Sequence, residues 1–372
     1  MVDLVGQYKK IKPEVDEAIM KIMNEASFIG GPAVKSFQAN LEEYLGVKHV
    51  IPCANGTDAL QVALMALGLK PGDEVITTTF TFIATAEVIA LLQLTPVLVD
   101  VDPDTYNIDP EAVEKAITSK TKAIIPVHLF GQCADMHALK QIAKKHNLYI
   151  VEDNAQAIGA KYTCPKSGNV KKAGAIGDIG CTSFFPAKNL GAFGDGGAIF
   201  TNDDDLAAMM RVLVNHGMTV RYYHDLVGVN SRLDSMQAAI LDIKLKHLDD
   251  YAAARLKAAN YYNNAFANNP KIKFPITADF TTHVFHQYAM VLTDVDRDGL
   301  MKHLADKGIA SAIYYPVALH MQKAYIDPRY KEGDFPVAEG LCKTIFSLPI
   351  HTELTDEIQK EITDAVLEFV NK

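Results

Sequence analysis

Ser183-Phe184-Phe185-Pro186-Ala187-Lys188-Asn189-Leu190-Gly191, continued by Ala192-Phe193-Gly194-Asp195-Gly196-Gly197, sets one lysine on a turn between two apolar runs. A short apolar strand ends at Pro186, and four glycines lead into Ala198 to Thr201. Apolar surroundings disfavour a lysine's charged form, which is what an imine-forming lysine needs. The same residues also fit a surface lysine on a glycine-rich loop, so the decision rests upstream. There Tyr149-Ile150-Val151-Glu152 reads as a buried strand that runs into Asp153-Asn154-Ala155-Gln156. A carboxylate at the C-terminal edge of a parallel strand points into the crevice where α/β proteins bind ligands. The alternative is that Asp153 caps a following helix. Pyridoxal phosphate chemistry requires a lysine for a Schiff base and a carboxylate on the pyridinium nitrogen. Lys188 and Asp153 fit those two roles.

The surrounding chain alternates strands and helices. Val75 to Thr79, Val97 to Val101, Ala123 to Val127 and Tyr149 to Glu152 are short apolar runs without strict alternation, predicted as strands covered on both faces. Helical stretches from Thr85 to Leu92, Pro110 to Ile117 and Met136 to His146 separate them. This order predicts an α/β fold with a mostly parallel sheet and right-handed crossovers. Ala198 to Thr201 follows the lysine strand after a turn too short for a helix, so that pair is predicted antiparallel.

Further along, Val227 to Leu233 leads into one long helical region ending near residue 266. Asn230 and Arg232 alternate with Ser231 and face the same way. An arginine there suits clamping a carboxylate or phosphate, or is a solvated cap residue. From about Asn269 the pattern becomes α+β, with strands predicted at His286 to Thr293 and Ala310 to Tyr315. Helices are predicted at Arg297 to Lys307 and Thr355 to Val370. The expected division is a large domain over 1–245 and a small C-terminal α+β domain over 246–372.

Three other stretches offer contacts to a ligand. Asn55-Gly56-Thr57-Asp58 opens a helix whose Leu60, Ala63, Leu64 and Leu67 share a face, and its exposed N-terminus is either an anion site or an ordinary cap. Phe28-Ile29-Gly30-Gly31-Pro32 is a backbone-exposing turn, suited to touching a ligand or simply a loop. Phe80 and Phe82 lie just past a strand end, where an aromatic stacks on a planar cofactor or packs in the core.

Composition narrows the classes. The 372 residues are 49% hydrophobic and 22% charged, as in an ordinary globular protein. A net charge of −9 argues against a nucleic-acid or anionic-membrane surface. Five cysteines, odd in number and without metal spacing, suit free thiols in a reducing cytosol and no metal site. No basic-then-apolar signal follows Met1, and no apolar run approaches membrane-spanning length.

Gly56-Thr57-Asp58-Ala59-Leu60, Glu152-Asp153-Asn154-Ala155-Gln156, Ser183 through Lys188, Gly194-Asp195-Gly196-Gly197 and Gly228-Val229-Asn230-Ser231-Arg232 occur in order along the chain. In that order and spacing the chain resembles the nucleotide-sugar aminotransferases of the DegT/StrS family, over essentially its whole length. The resemblance implies an aspartate-aminotransferase-like, fold-type I pyridoxal 5'-phosphate enzyme. It further implies that Lys188 carries the cofactor and shuttles the proton, that Asp153 pairs with the ring nitrogen, and that Gln156 approaches the phenolic-oxygen side. Phe82 matches the aromatic that stacks on the ring, and Gly56, Thr57, Asp58 and Ser183 match the phosphate site. Asn230 would reach that phosphate from a neighbouring subunit, so the implied enzyme is a homodimer with shared active sites.

Within the family the resemblance is nearest to the C3-aminotransferases of UDP-2-acetamido-3-keto-glucuronic acid, with L-glutamate as amino donor. Their setting is bacterial surface-polysaccharide (O-antigen) biosynthesis in the cytoplasm. Arg232 matches the arginine that takes the sugar carboxylate, and Phe28, Tyr314 and Tyr315 are expected on the substrate side. Two departures bear on the sugar: Ala187 stands where close relatives carry a serine, and Tyr314-Tyr315-Pro316 replaces the commoner His-Tyr-Pro. The alternatives are a dTDP-3-keto-6-deoxyhexose substrate, 3-dehydration of a 4-keto sugar, and a non-catalytic regulatory protein on the same fold. The dehydrating branch has histidine where Lys188 stands.

Overall fold

Non-alternating apolar runs become strands buried on both faces. The computed structural model describes residues 1–372. Its strands are β1 (His49–Cys53), β2 (Glu74–Thr78), β3 (Thr95–Val99), β4 (Thr121–Ile125) and β5 (Tyr149–Asp153), then the separate hairpin β6 (Lys161–Thr163) and β7 (Val170–Lys172), then β8 (Ile179–Ser183) and β9 (Gly197–Thr201). Seven of these form one sheet in the order β1-β9-β8-β5-β4-β2-β3. The neighbours from β3 through β8 are parallel, and β9 alone runs against β8 and β1. The antiparallel pairing of β8 and β9 is as the turn length predicts. β1 escapes a sequence reading because Pro52 and His49 interrupt its apolar run. Proline is tolerated there because β1 is an edge strand.

Two N-terminal helices, α1 (Leu4–Glu25) and α2 (Pro32–Leu45), precede the sheet. Between its strands run α3 (Gly56–Ala66), α4 (Ala84–Leu91), α5 (Pro110–Ala116) and α6 (Met136–His146), and α7 (Asp204–Leu213) follows β9. Their starts carry sequence signals: Asn55 caps α3 and Asp135 caps α6, and Asp109 caps α5 with Pro110 at its first position. A second hairpin, β10 (Met218–Val220) and β11 (Tyr223–His224), is largely exposed.

The long helical region is two helices, α8 (Ser235–Leu245) and α9 (Leu248–Phe266). The break falls at Lys246 and His247, residues with no breaking tendency of their own, so the packing of the two helices against different cores sets it. Leu241 and Leu245 of α8 pack with Phe37 and Phe184. Tyr262 and Phe266 of α9 join Phe285, Tyr288, Phe346 and Val366 instead. That second core is completed by β12 (Ile272–Lys273), β13 (Tyr288–Leu292), α10 (Arg297–Asp306), β14 (Ile345–Leu348) and α12 (Asp356–Val370), whereas α11 (Pro336–Thr344) packs with Phe80, Leu98 and Phe130.

The strand expected over Ala310 to Tyr315 does not form. Ala312 exchanges backbone hydrogen bonds of 3.1 and 2.8 Å with Ser347, and the chain then leaves the sheet. Pro316 has no N–H to continue a ladder, and the departure carries Tyr315 to the C-terminal edge of β5. No helix is long and apolar enough to cross a membrane.

Candidate active site

Asp153 is the last residue of β5 and is only 5% exposed. Its Oδ2 accepts a hydrogen bond from Thr85 Oγ1 of α4 at 2.8 Å, and its Oδ1 accepts from Ala155 N–H at 3.1 Å. Turns rather than a helix follow it, so the capping alternative falls away. β8 lies beside β5, with Asp153 opposite Cys181. Beyond β8 the chain turns tightly: Lys188 N–H donates to Phe185 carbonyl at 2.8 Å, and a Cβ on Gly191 would sit 2.2 Å from Pro186 carbonyl. Burial brings the Lys188 ammonium down to about 8, with the Asp153 charge pulling the other way. No side chain hydrogen-bonds its Nζ. The result is an amine able to hold or release a proton near neutrality, facing a buried carboxylate.

The phosphate-binding expectation falls on the start of α3. Asn55 Oδ1 accepts from Asp58 N–H at 2.8 Å, so that donor is already taken. The N–H groups of Gly56 and Thr57 have no intrahelical acceptor and lie at the positive end of the helix dipole. A Cβ on Gly56 would lie 2.7 Å from Ser183 Cβ. Only glycine therefore lets the helix start close against the end of β8, which brings the Ser183 hydroxyl to the same place.

Gln156 ties the opposite side together. Its Oε1 accepts from Phe130 N–H at 2.8 Å and its Nε2 donates to Tyr315 Oη at 3.0 Å. The Tyr315 ring packs against Phe80 and Phe82, with centroids 6.1 and 6.4 Å away, and against Tyr314 at 6.0 Å. Phe80 is core, whereas Phe82 is 56% exposed and has an open face. Burial pushes the Tyr315 hydroxyl up, so it stays protonated.

Asn230 and Arg232 are exposed while Ser231 and Leu233 are buried, the alternation read from the sequence. Ser231 Oγ accepts from Ala54 N–H at 3.1 Å, which fixes this segment beside the start of α3. Asn230 and Arg232 line a cleft of about 480 Å³ with Gly194, Asp195, Asp234 and Gln237. The Phe28 carbonyl accepts from Ser235 N–H at 2.9 Å, and Ile29 reaches that cleft. Lys188, Asp153, Gln156 and Tyr315 do not line it. One chain thus sorts the expected residues into two groups, one around Lys188 and one around Arg232.

The sequence reading missed the supports of this site. Thr85 steadies Asp153 from a different helix. Glu152 reads in the sequence as part of a strand, and its one signal is a carboxylate inside an apolar run. It is fully buried and accepts from His128 Nε2 at 2.7 Å and from the N–H groups of Gly174, Ile176 and Gly177 at 2.9, 2.6 and 2.5 Å. Burial pushes its carboxyl up, and His128 with these N–H groups reverses that and holds it below its ordinary value.

These residues fit pyridoxal 5'-phosphate. A lysine of lowered basicity faces a fixed carboxylate, and the glycine-lined cradle between α3 and β8 suits a phosphate.

The family model described as the DegT/DnrJ/EryC1/StrS aminotransferase family matches residues 9–367. A Geobacillus stearothermophilus protein named "Pleiotropic regulatory protein" is 48% identical over 371 residues, covering 99% of this chain and 98% of that one. The UDP-2-acetamido-2-deoxy-3-oxo-D-glucuronate aminotransferase of Pseudomonas aeruginosa is 44% identical, over 95% of each chain. The dTDP-3-amino-3,4,6-trideoxy-alpha-D-glucose transaminase of Streptomyces venezuelae is 41% identical, over 100% and 96%. Among solved structures, S. venezuelae DesV in complex with a ketimine intermediate superposes with a TM-score of 0.95 at 40% identity, covering 100% of this chain and 98% of that one. The Bacillus subtilis NtdA structure with bound cofactor PMP gives 0.88 at 31% identity, over 98% and 82%. With the family model matched almost end to end, the chain belongs to the DegT/DnrJ/EryC1/StrS family and is a pyridoxal-phosphate-dependent sugar aminotransferase.

Proposed function

We propose that the enzyme moves the amino group of L-glutamate to C3 of UDP-2-acetamido-2-deoxy-3-keto-glucuronic acid. This reading places it in the cytoplasm, making sugars for bacterial surface polysaccharide. Pyridoxal phosphate supplies the electron sink and carries the amino group between the two half-reactions. Lys188 holds and returns the proton in both halves, and its lowered basicity suits that exchange. Asp153, steadied by Thr85, presents a fixed negative charge to the ring nitrogen. Gly56, Thr57 and Ser183 would hold the phosphate, Phe82 would stack on the ring, and Gln156, bonded to Tyr315, would approach its phenolic oxygen. In this reading residues 1–245 carry the cofactor and residues 246–372 supply Tyr314 and Tyr315 on the substrate side.

The observation that carries the uronic-acid assignment is Arg232. It is exposed, is the only cation lining its cleft, and makes no salt bridge to Asp195 or Asp234, which line the cleft with it. A guanidinium left free in this way suits a substrate carboxylate, and the name of the P. aeruginosa relative agrees with that. Because Lys188 is absent from this cleft, we assign Asn230 and Arg232 to the active site of the partner in a homodimer. A 6-deoxy dTDP-sugar is the competing substrate, favoured by the S. venezuelae relative. A regulatory role is favoured by relatives' names, that of the G. stearothermophilus protein among them, and the intact Lys188–Asp153 pair speaks for catalysis.

Subunit mixing tests the assignment. Inactive Lys188→Ala chains and Arg232→Ala chains, allowed to exchange and assayed on the uronic acid below the raised KM of the arginine variant, should regain up to about half the activity per heterodimer, because one site then has both residues. Arg232→Ala should also raise KM for the uronic acid far more than for a 6-deoxy sugar. Absence of regained activity sinks the shared site, and equal KM losses sink the uronic acid.

A further inference from the structure

Lys244 of α8 is 1% exposed, and no carboxylate offsets its charge. Burial, and then the neighbouring Arg255, bring its ammonium down to about 8. A buried cation without a counter-ion costs stability, so its position calls for a reason. Its hydrogen bond goes to the Gly191 carbonyl at 2.5 Å, and the centre of the Phe193 ring lies 5.4 Å from Nζ. Both of those residues belong to the loop that carries Lys188. Gln237, seven positions earlier and so on the same face of α8, accepts from Phe193 N–H at 2.8 Å. The helix is itself fixed, because Ala238, Leu241 and Leu245 pack with Phe37, Phe184 and Leu190. The loop is closed on itself. Lys188 N–H donates to Phe185 carbonyl and Ala192 N–H to Phe184 carbonyl, each at 2.8 Å, and Gly191 has no room for a Cβ against Pro186 carbonyl. A hold on Gly191 is therefore a hold on the lysine just before it.

We propose that Lys244 is a positioning residue for Lys188, its ammonium holding the Gly191 carbonyl and so setting how deeply the lysine turn sits against α8. The Lys244 charge does not act on Lys188 directly, since burial and Asp153 alone set the basicity of that amine. Its influence passes through the turn. The other side of the turn has a separate anchor, Asn189 Nδ2 donating to Val284 carbonyl at 2.8 Å, so loss of Lys244 displaces the turn without unfolding it. Burial outweighs Asp153 at Lys188, so a turn that relaxes toward solvent carries its basicity up, toward the ordinary value. A displacement of about 1 Å at a reacting group costs about a hundredfold in rate. The inference rests on Lys188 being the cofactor lysine.

The test uses the holoenzyme with its cofactor in the amine form, which leaves Lys188 unattached. With lysine labelled at 13Cε, NMR follows the titration of Lys188, identified by its loss in Lys188→Arg and expected near 8 in the wild type. Lys244→Met keeps the apolar stem and removes the donor. In it Lys188 should titrate about half a pH unit or more higher, and kcat should fall about tenfold to a hundredfold with little change in KM for L-glutamate. Lys244→Arg restores a charged donor and should bring both readings back toward the wild type. All readings are taken well below each melting midpoint, so a loss of stability alone moves neither. A wild-type titration and kcat in folded Lys244→Met, a titration shifted downward, or Lys244→Arg no better than Lys244→Met would overturn the proposal. Should Lys244→Met fail to fold, Lys244→Gln, whose shorter amide stops short of Gly191, takes its place under the same criteria. Borohydride reduction and mapping of the cofactor adduct in the same samples tests the role of Lys188 separately, since the titration reports on the turn whichever lysine carries the cofactor.

Discussion

Asp153→Asn removes one charge from the site and almost nothing else. Ala155 N–H still finds the amide oxygen, and Thr85 Oγ1, a donor at 2.8 Å in the native site, rotates to accept from the new amide nitrogen. The fold should therefore survive, with a melting midpoint near that of the wild type. The lost charge has two consequences. Asp153 raises the basicity of Lys188 against burial, so Lys188 should titrate below about 8 in the variant. The ring nitrogen also loses its anionic partner. A charge pair at about 4 Å and an effective dielectric of 20 is worth about 4 kcal/mol, and about 2.7 kcal/mol already corresponds to a hundredfold in rate. Turnover should fall at least about a hundredfold while the cofactor remains bound. Single-turnover amination, followed by cofactor absorbance, separates this from weakened binding. Near-normal turnover with a normal melting midpoint would show that another group serves the ring nitrogen.

Two further substitutions examine the supports. In Gly56→Ala the new methyl meets Ser183 Cβ at 2.7 Å, so α3 or the end of β8 must shift. The variant should lose about 1–3 kcal/mol and hold the cofactor more weakly on dialysis; unchanged stability and retention would refute the close approach. Glu152 is a carboxylate held below its unfolded value of 4.5, so its contribution is present above that value and is lost as pH falls through the lower folded one. Glu152→Gln should be markedly less stable at neutral pH yet lose less on acidification below about 4.5. A parallel pH dependence of melting in both proteins would contradict the lowered Glu152 carboxyl.

The parts of the site that were legible in the sequence share one physical property. Gly56 follows β1, Phe82 follows β2, Asp153 ends β5, and Ser183 ends β8 with Lys188 just beyond. All four strands run in the same direction, so whatever chemistry follows each one is delivered to one edge of the sheet. A motif after a doubly covered apolar run therefore states its own location. Asn230 and Arg232 were legible for a different reason, since their alternation with buried Ser231 and Leu233 fixes which way they face.

Residues brought in from elsewhere carry no such address. Thr85 lies 68 positions from the carboxylate it steadies, and Tyr315 lies 159 from Gln156. Nothing near Thr85 in sequence distinguishes it from any helix threonine, and Tyr315 is marked out only by the family resemblance of Tyr314-Tyr315-Pro316, not by its place in a strand. His286 sat inside a predicted strand, and its position beside the lysine turn depends on one bond from Asn189 and two from Arg255. The break between α8 and α9 is of the same kind, because Lys246 and His247 take their conformation from two cores that exist only after folding. The sheet thus fixes where the reacting groups stand, whereas long-range contacts decide how firmly they are held. A substitution at Thr85 should therefore tune the Lys188–Asp153 pair and leave the fold that delivers it intact.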